Sequence, residues 1–414
     1  MNIKASLTPS SEQAVILLMV LVQFINMVDY MMVMPLGPDF AKALSIPVDE
    51  AGFIGGVYTF AAAFMALLLA NRLDRFDRRW ALLCCLAGLT ISTFLATLAT
   101  GFYSLIAARI AAGLFGGPAA SLATAIVIDH VPEERRGKAM ALLMSAFPTA
   151  AVIGVPLGLE MAHWFNWQAP FYLVSASALI VMALIFWMLP PQSEHLAAAR
   201  KKPPFKITAA LADPMMLQGL SITGTAIFAS FLFIPHLSPY IQFNLGFPRE
   251  EIGTLYMIGG LATYVIMHIT GRLVDRFGPV SITWLAAAGS LTIIFTGFMP
   301  PALWPVMVTF AGFMAFNAMR NVAVQTTNSR IPAPQQRAGY MAAQSATRHL
   351  VSGFAVAVST YILTTSETGA LDHMASVAWL SALFTLMLPW QVSRLHRSLT
   401  LRKQQQAEKR ALAT

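Results

Sequence analysis

Apolar runs of about twenty residues recur along this chain, and that recurrence restricts its fold more than any single motif does. A helix that crosses the hydrocarbon core of a bilayer needs about 20 largely apolar residues, and it satisfies its own backbone N–H and C=O groups. Twelve stretches meet that requirement. Six lie at roughly 13–36, 49–70, 80–100, 103–128, 138–161 and 168–190, and six at roughly 214–240, 250–271, 279–299, 302–328, 338–364 and 372–393. Composition agrees: 57% of the residues are hydrophobic and 11% charged, against about 45–50% and about 25% in soluble domains. So few charges cannot clothe a surface that faces water. The expectation is an all-α integral membrane protein with twelve transmembrane helices in two pseudo-symmetric six-helix bundles.

The domain plan follows from the runs. Residues 1–12 form an N-terminal segment, 13–190 the first bundle, 191–213 a connector, 214–393 the second bundle, and 394–414 a basic, amphipathic tail suited to anionic headgroups. The connector holds Pro190 and Pro191 at its edge, then Pro203 and Pro204 among Arg200, Lys201, Lys202 and Lys206, so it is no crossing. The first apolar run is too long for a signal-peptide core and lacks a small-residue cleavage pattern.

Basic residues decide orientation. The formal charge of +8 comes from residues placed in short loops between apolar runs, which speaks for membrane topology rather than for nucleic acid. Loops and termini on one side carry 22 Lys and Arg, whereas the opposite loops carry only Lys42 and Arg249. Positive residues favour the cytoplasm, so both termini are expected there, in a multi-pass protein of the inner membrane. The adjacent Cys84 and Cys85 allow neither a disulfide framework nor a metal cluster and read as packing residues. No metal or cofactor is called for.

The two halves echo each other. RLDRFDRR (Arg72 to Arg79) returns as GRLVDRFGP (Gly271 to Pro279), and VPEERRGKAMAL (Val131 to Leu142) returns as IPAPQQRAGYMAA (Ile331 to Ala343), each about 200 residues on. Repeated halves with a binding site between them are a transporter architecture. The first loop, with Asp74, Arg75, Arg78 and Arg79, resembles the signature of the major facilitator superfamily, and Asp275 with Arg276 is its second copy. A carboxylate at such a helix end can bridge to a neighbouring helix and hold a gate shut. The alternative is a solvated basic loop that only sets topology.

Two further motifs sharpen the resemblance. RIAAGLFGG (Arg109 to Gly117) resembles the arginine-to-glycine motif of the family's proton-antiporter branches, in which the arginine influences proton binding. GVPLG, with Gly154, Pro156 and Gly158, followed by Trp164, Asn166, Trp167 and Phe171, looks like the antiporter motif of arabinose-efflux-permease-like exporters. Small residues there let helices approach closely and proline kinks the helix; ordinary packing is the competing reading. The nearest branch is the twelve-helix drug:proton antiporter-1 group. The resemblance implies two bundles rocking about a central site.

Depth places one pair of charges together. Asp29 lies about 10 Å, and Arg109 about 12 Å, from the outer ends of their helices at about 1.5 Å per residue. A charge in the hydrocarbon costs at least about 2.5–3.5 kcal/mol. Burial disfavours a charged carboxylate and a nearby guanidinium favours it, so a cycle that alternates those surroundings can load and release a proton. A static ion pair that locks packing is the alternative. Gln23 and Asn26 precede Asp29 on the same face and read as cavity lining.

The second half carries two deep arginines, Arg320 and Arg348, with no acidic residue evident in the apolar body of its helices. Asn317, Arg320, Asn321 and Asn328 form one helical stripe, and Gln344, Arg348 and Ser352 another. Guanidinium forks suit carboxylate or phosphate, so an anionic substrate group is one reading and pairing with backbone carbonyls the other. His236, His268 and His349 read as structural hydrogen-bonders. Methionines and phenylalanines pack helices, face lipid and can shape an adaptable cavity wall.

These features point to a proton-coupled antiporter that exports a small amphiphilic or anionic molecule. Its alternative is a proton-coupled importer of an organic anion built from the same parts. A membrane enzyme would want a catalytic cluster, and no H-E-x-x-H, paired deep carboxylates or phosphate-cradling glycine loop is found. The expected partners are the small-molecule substrate, protons and the lipid bilayer, with no nucleic acid. A single chain holds every part, so a monomer is expected.

Overall fold

The computed structural model describes residues 12–69, 76–191, 213–332, 337–366 and 368–411. It is built of helices in the twelve expected places. We label them α1 (Glu12–Met31), α2 (Val48–Leu69), α3 (Arg78–Ala96), α4 (Phe102–His130), α5 (Ala139–Trp164) and α6 (Ala169–Met188). The second set is α7 (Pro214–Asn244), α8 (252–277), α9 (279–298), α10 (Val306–Asn328), α11 (Arg337–Ile362) and α12 (Met374–Ala411). Eight stretches among the described residues are both long and apolar enough to cross a membrane, and one of them, Arg249–Phe298, holds both α8 and α9. Outside that set are α2, α10 and α11; the last two carry Asn317, Arg320, Asn321, Gln344 and Arg348.

Helix boundaries follow from local chemistry. Asp77 caps α3, its Oδ1 accepting from the backbone N–H groups of Arg79 at 2.9 Å and Trp80 at 3.2 Å. Asp213 caps α7 in the same way through Met215 and Met216, with Pro214 at the first helical position. Asn166 accepts from Gln168 and Ala169 at the start of α6. The break between α8 and α9 falls at Gly278, whose φ of 80° suits glycine, followed by Pro279, which cannot donate to the helix ladder. Each of α5, α7 and α9 contains a five-residue π-helical stretch, at Ala150–Gly154, Tyr240–Asn244 and Ile294–Phe298.

The chain divides into two compact units. Unit 1 comprises Met1–Pro204, Pro235–Met257 and Thr364–Asp372; unit 2 comprises Phe205–Ile234, Ile258–Leu363 and His373–Thr414. In unit 1, α4 lies directly on α2 because glycines face it. A Cβ at Gly117 would sit 2.6 Å from the Ala62 carbonyl oxygen, and one at Gly113 would collide with the Tyr58 carbonyl. A short helix, Gly37–Leu44, docks through Phe40 onto Trp167 and Phe171, at ring separations of 5.7 and 6.0 Å. The second-half segments of this unit are tied in by polar contacts. Arg249 grips Asp39 with two hydrogen bonds of 3.1 and 2.9 Å, Ser238 donates to the Pro35 carbonyl, and Thr365 bonds Asp49. Asn244 pairs both ways with the backbone of Leu371, at one end of a two-stranded antiparallel ribbon, β1 (Thr364–Thr365) and β2 (Leu371–Asp372).

In unit 2, Leu220 and Ala226 of α7 pack with Val324 of α10, Tyr340 of α11, and Leu388 and Val392 of α12. The last helix does not stop near residue 393. Leu395 and Leu399 continue the stripe of Leu388 and Val392 at helical spacing and are buried, so the helix runs on to Ala411. Outward faces are apolar: Phe64, Trp80, Ile91, Leu98, Trp187 and Trp379 are all exposed. Such a surface suits lipid and not water. Of the two cysteines, Cys85 is buried and Cys84 exposed, both free.

The close approach of α4 to α2 gives a direct test. Gly113→Ala overpacks a backbone-to-backbone contact and is expected to destabilise the protein by about 1–3 kcal/mol. A thermal-unfolding midpoint unchanged from wild type in the same detergent would count against the packing described.

Candidate functional site

Asp29 and Arg109 meet, and both are fully buried at 0% exposure. Arg109 Nη1 donates to both carboxylate oxygens of Asp29 at 3.1 Å, and Nη2 donates to the Asp29 backbone carbonyl at 3.0 Å. Thr93 of α3 donates to Asp29 Oδ1 at 2.9 Å. The guanidinium carbon stands 4.9 Å from the centre of the Tyr58 ring, which faces the cation with its electron-rich side. Tyr58 donates its hydroxyl to Asn26 Oδ1 at 2.8 Å, and Asn26 donates to the Gly116 carbonyl at 3.1 Å. Four helices, α1 to α4, thus converge on one charge pair.

The glycine spacing of α4 explains how. Arg109, Gly113, Gly116 and Gly117 fall on one face. A Cβ at Gly116 would collide with the Tyr58 hydroxyl and lie 2.8 Å from Asn26 Oδ1. The absent side chains make the room that the network occupies. The GVPLG stretch reaches the same level: a Cβ at Gly154 would collide with Val28, the neighbour of Asp29, and Gly154 ends the π-helical stretch of α5. Single-turn π-bulges of this kind favour functional sites. Pro156 and Gly158 are buried, Gly158 in ordinary contact with Met32. Gln23 is half-buried, with its Oε1 unpartnered among the described residues.

The loop motifs are placed in part. Asp74 and Arg75 lie outside the described residues, as do residues 1–11 and most of the connector, 192–212. Arg78 bridges to Asp129 near the end of α4 at 2.7 Å. Arg79 donates to the Phe186 carbonyl of α6 and stacks on Trp80 and Phe186. Two guanidinium groups at the start of α3 thus reach α4 and α6. Asp275 and Arg276 are exposed, Arg276 resting on Phe277.

In unit 2 the polar stripes separate. Arg320 is buried at 3% exposure, with Asn317 Oδ1 2.7 Å from Nη2, Ser230 Oγ also against Nη2, and Thr385 Oγ1 3.3 Å from Nη1. Side-chain oxygens of α7, α10 and α12 therefore hold it, in place of backbone carbonyls. Among the described residues no carboxylate pairs with it, and its Nε has no partner. Asn328 and Gln344 turn instead to Thr223, at 2.8 and 3.2 Å. Asn321 and Arg348 are exposed. His268 bonds the Tyr264 carbonyl, a structural role, and among the described residues no cluster of metal-ligating side chains occurs.

The family model of the Major Facilitator Superfamily matches residues 19–357 and 219–408. The chain belongs to the Major Facilitator Superfamily. It is a multi-pass membrane transporter, not an enzyme. A chloramphenicol resistance protein of Streptomyces lividans is 28% identical over 62% of this chain and 65% of its own length. A protein of Pasteurella multocida (strain Pm70) named "Probable sugar efflux transporter" is 24% identical over 61% of each. The matches therefore span just under two thirds of those relatives. Among solved structures, a bacterial homolog of the human lysosomal transporter Spinster superposes with a TM-score of 0.71, at 15% identity, over 93% of this chain and 96% of that one.

Within this superfamily member, sequence reasoning missed the neutral partners of its charges. Thr93, Tyr58 and Thr385 are single hydroxyls in apolar helices with no spacing that marks them, and Ser230 is marked by no motif of its own helix. Asp129 and Asp39 were unassigned because their partners come from other helices.

Removing one member of a buried pair leaves the other charge unmatched, a loss of about 3–5 kcal/mol. Asp29→Asn is expected to lower the unfolding midpoint, and Arg109→Gln added to it to recover part of the loss. Additive losses in this double-mutant cycle would show that the two residues are not coupled.

Proposed function

We propose that the chain is a proton-coupled antiporter of the drug:proton antiporter-1 type, which exports a small amphiphilic or anionic molecule across the inner membrane by alternating access. Both termini lie in the cytoplasm and the monomer is the working unit. The Asp29–Arg109 pair, sealed at zero exposure among four helices, is the observation that carries this reading. A carboxylate so placed has two stable conditions. Ionised, it is held by the guanidinium and by Thr93. Protonated, it loses its attraction for Arg109, which keeps the Asp29 carbonyl and the face of Tyr58.

Proton uptake then acts on packing. The α1–α4 link weakens at the level where Gly154 of α5 touches Val28, so the change is felt by the motif helix as well. Arg109 tunes the acid, while Asn26 and Gln23 line the approach. The Arg78–Asp129 and Arg79–Phe186 contacts brace helix ends as part of the gate, with Asp74, Arg75, Asp275 and Arg276 in the same loops. Arg320, Asn317, Gln344, Asn321 and Arg348 are the residues proposed to serve the substrate. Export is favoured by the relatives named for chloramphenicol resistance and sugar efflux.

Proteoliposomes with an acidic lumen test the reading, using chloramphenicol, benzoate and octanoate as substrates and a pH dye inside. An antiporter accumulates its substrate while the lumen becomes more alkaline, and Asp29→Asn abolishes both. Loss of substrate from loaded vesicles under the same gradient would instead identify an importer.

A further inference from the structure

The two loop echoes share one register. An offset of 201 residues carries Asp74 onto Asp275, Arg75 onto Arg276, Phe76 onto Phe277, Arg136 onto Arg337 and Met140 onto Met341. The same offset carries Asp29 onto Ser230. Asp29 sits near the end of α1 and Ser230 near the end of the first α-helical stretch of α7, Pro214–Phe231, and both contact a buried arginine on the fourth helix of their half, Arg109 in α4 or Arg320 in α10. One half supplies its arginine with a carboxylate. The other supplies a serine hydroxyl.

The consequence is electrostatic. Arg109 has a resident counter-ion, whereas the partners of Arg320 are all neutral: Ser230, Asn317 and Thr385. An isolated buried cation is costly unless it is paired or gives up its charge, and guanidinium keeps its charge. The Ser230 hydroxyl lies 2.9 Å from the Ala226 carbonyl and 3.0 Å from Asn317 Oδ1, so its proton is committed there and only a lone pair faces Arg320. The Nε–H of Arg320, like that of Arg109, bonds to nothing described. Among the described residues no negative charge faces Arg320.

We propose that the transported molecule supplies one: the substrate is a monocarboxylate whose carboxyl group takes, beside Arg320, the place that the Asp29 carboxylate holds beside Arg109. This rests on the transporter reading above and narrows its substrate class. One guanidinium in this cluster, with Arg348 on an exposed position, selects a single charge over a phosphate dianion. The ligand carboxylate receives charge-assisted hydrogen bonds, which are about twice as strong as neutral ones.

Thermal shifts of the purified chain test this without any proton gradient. Benzoate and octanoate are the probes, with benzamide and octanamide as uncharged isosteres and inorganic phosphate as the dianion control. The carboxylates are expected to raise the unfolding midpoint of wild type, and the amides and phosphate are not. Ser230→Asp installs a resident counter-ion. It is expected to raise the midpoint without ligand and to weaken the carboxylate response by about tenfold or more, the effect of one charged hydrogen bond. Adding Arg320→Gln to Ser230→Asp should cost more stability than adding it to wild type. Equal stabilisation by amides, or an undiminished carboxylate response in Ser230→Asp, would overturn the proposal. Carboxylate binding without proton exchange in proteoliposomes would overturn the coupling reading and leave this one standing.

Discussion

A charge inside a membrane protein must be matched at the same depth, and that constraint organises this chain around Asp29 and Arg109. Neither residue is tolerable alone in hydrocarbon. Together, with Thr93 and the ring of Tyr58, they form a compact polar knot in an apolar body. The rest of unit 1 is arranged so that the knot fits. Gly113, Gly116 and Gly117 bring α4 against α2, and Gly154 brings α5 against α1. On the proposed reading, a site that joins several helices through one ionisable group converts a proton into a change of packing.

Unit 2 also sets a buried arginine of its fourth helix against the first helix of its half, although the 201-residue register carries Arg109 onto Phe310 and not onto Arg320. That arginine is held by the hydroxyls of Ser230 and Thr385 and the amide oxygen of Asn317, without a resident acid among the described residues. On the proposed reading the halves divide the labour: one binds a proton, the other an external anion. The halves differ at Ser230 of α7, where the first half has Asp29, and in the register of the arginine, since the position equivalent to Arg109 is Phe310.

Much of this was legible in the sequence, because transmembrane helices must be written in long apolar runs. All twelve runs became helices, and the Gly278–Pro279 break fell where the loop echo placed it. Asp29 stood out by its depth, and Arg109 by its depth and by the RIAAGLFGG motif it opens, since few charges sit deep in these helices. The partners were harder. A threonine or tyrosine in an apolar helix satisfies itself locally as often as not; Thr90 bonds Leu86, four residues back, whereas Thr93 bonds Asp29. Spacing along one helix cannot separate those cases. The stripe that joined Asn317 to Asn328 split for the same reason: neighbours on α7 and α12 captured Arg320, while Thr223 captured Asn328. The last helix outran its apolar run because Leu395 and Leu399 belong to a stripe that basic neighbours hide from a composition reading.

The central claim is that the Asp29 carboxyl gains and loses a proton inside the folded protein. Infrared difference spectroscopy of the protein in lipid, recorded while the pH is stepped downward, observes this directly. The account predicts a protonated-carboxyl band that grows on acidification, is absent in Asp29→Asn and shifts in Thr93→Val, which removes the hydroxyl bonded to Oδ1. A spectrum in which Asp29→Asn removes no titrating carboxyl band would contradict it and leave the pair a static lock.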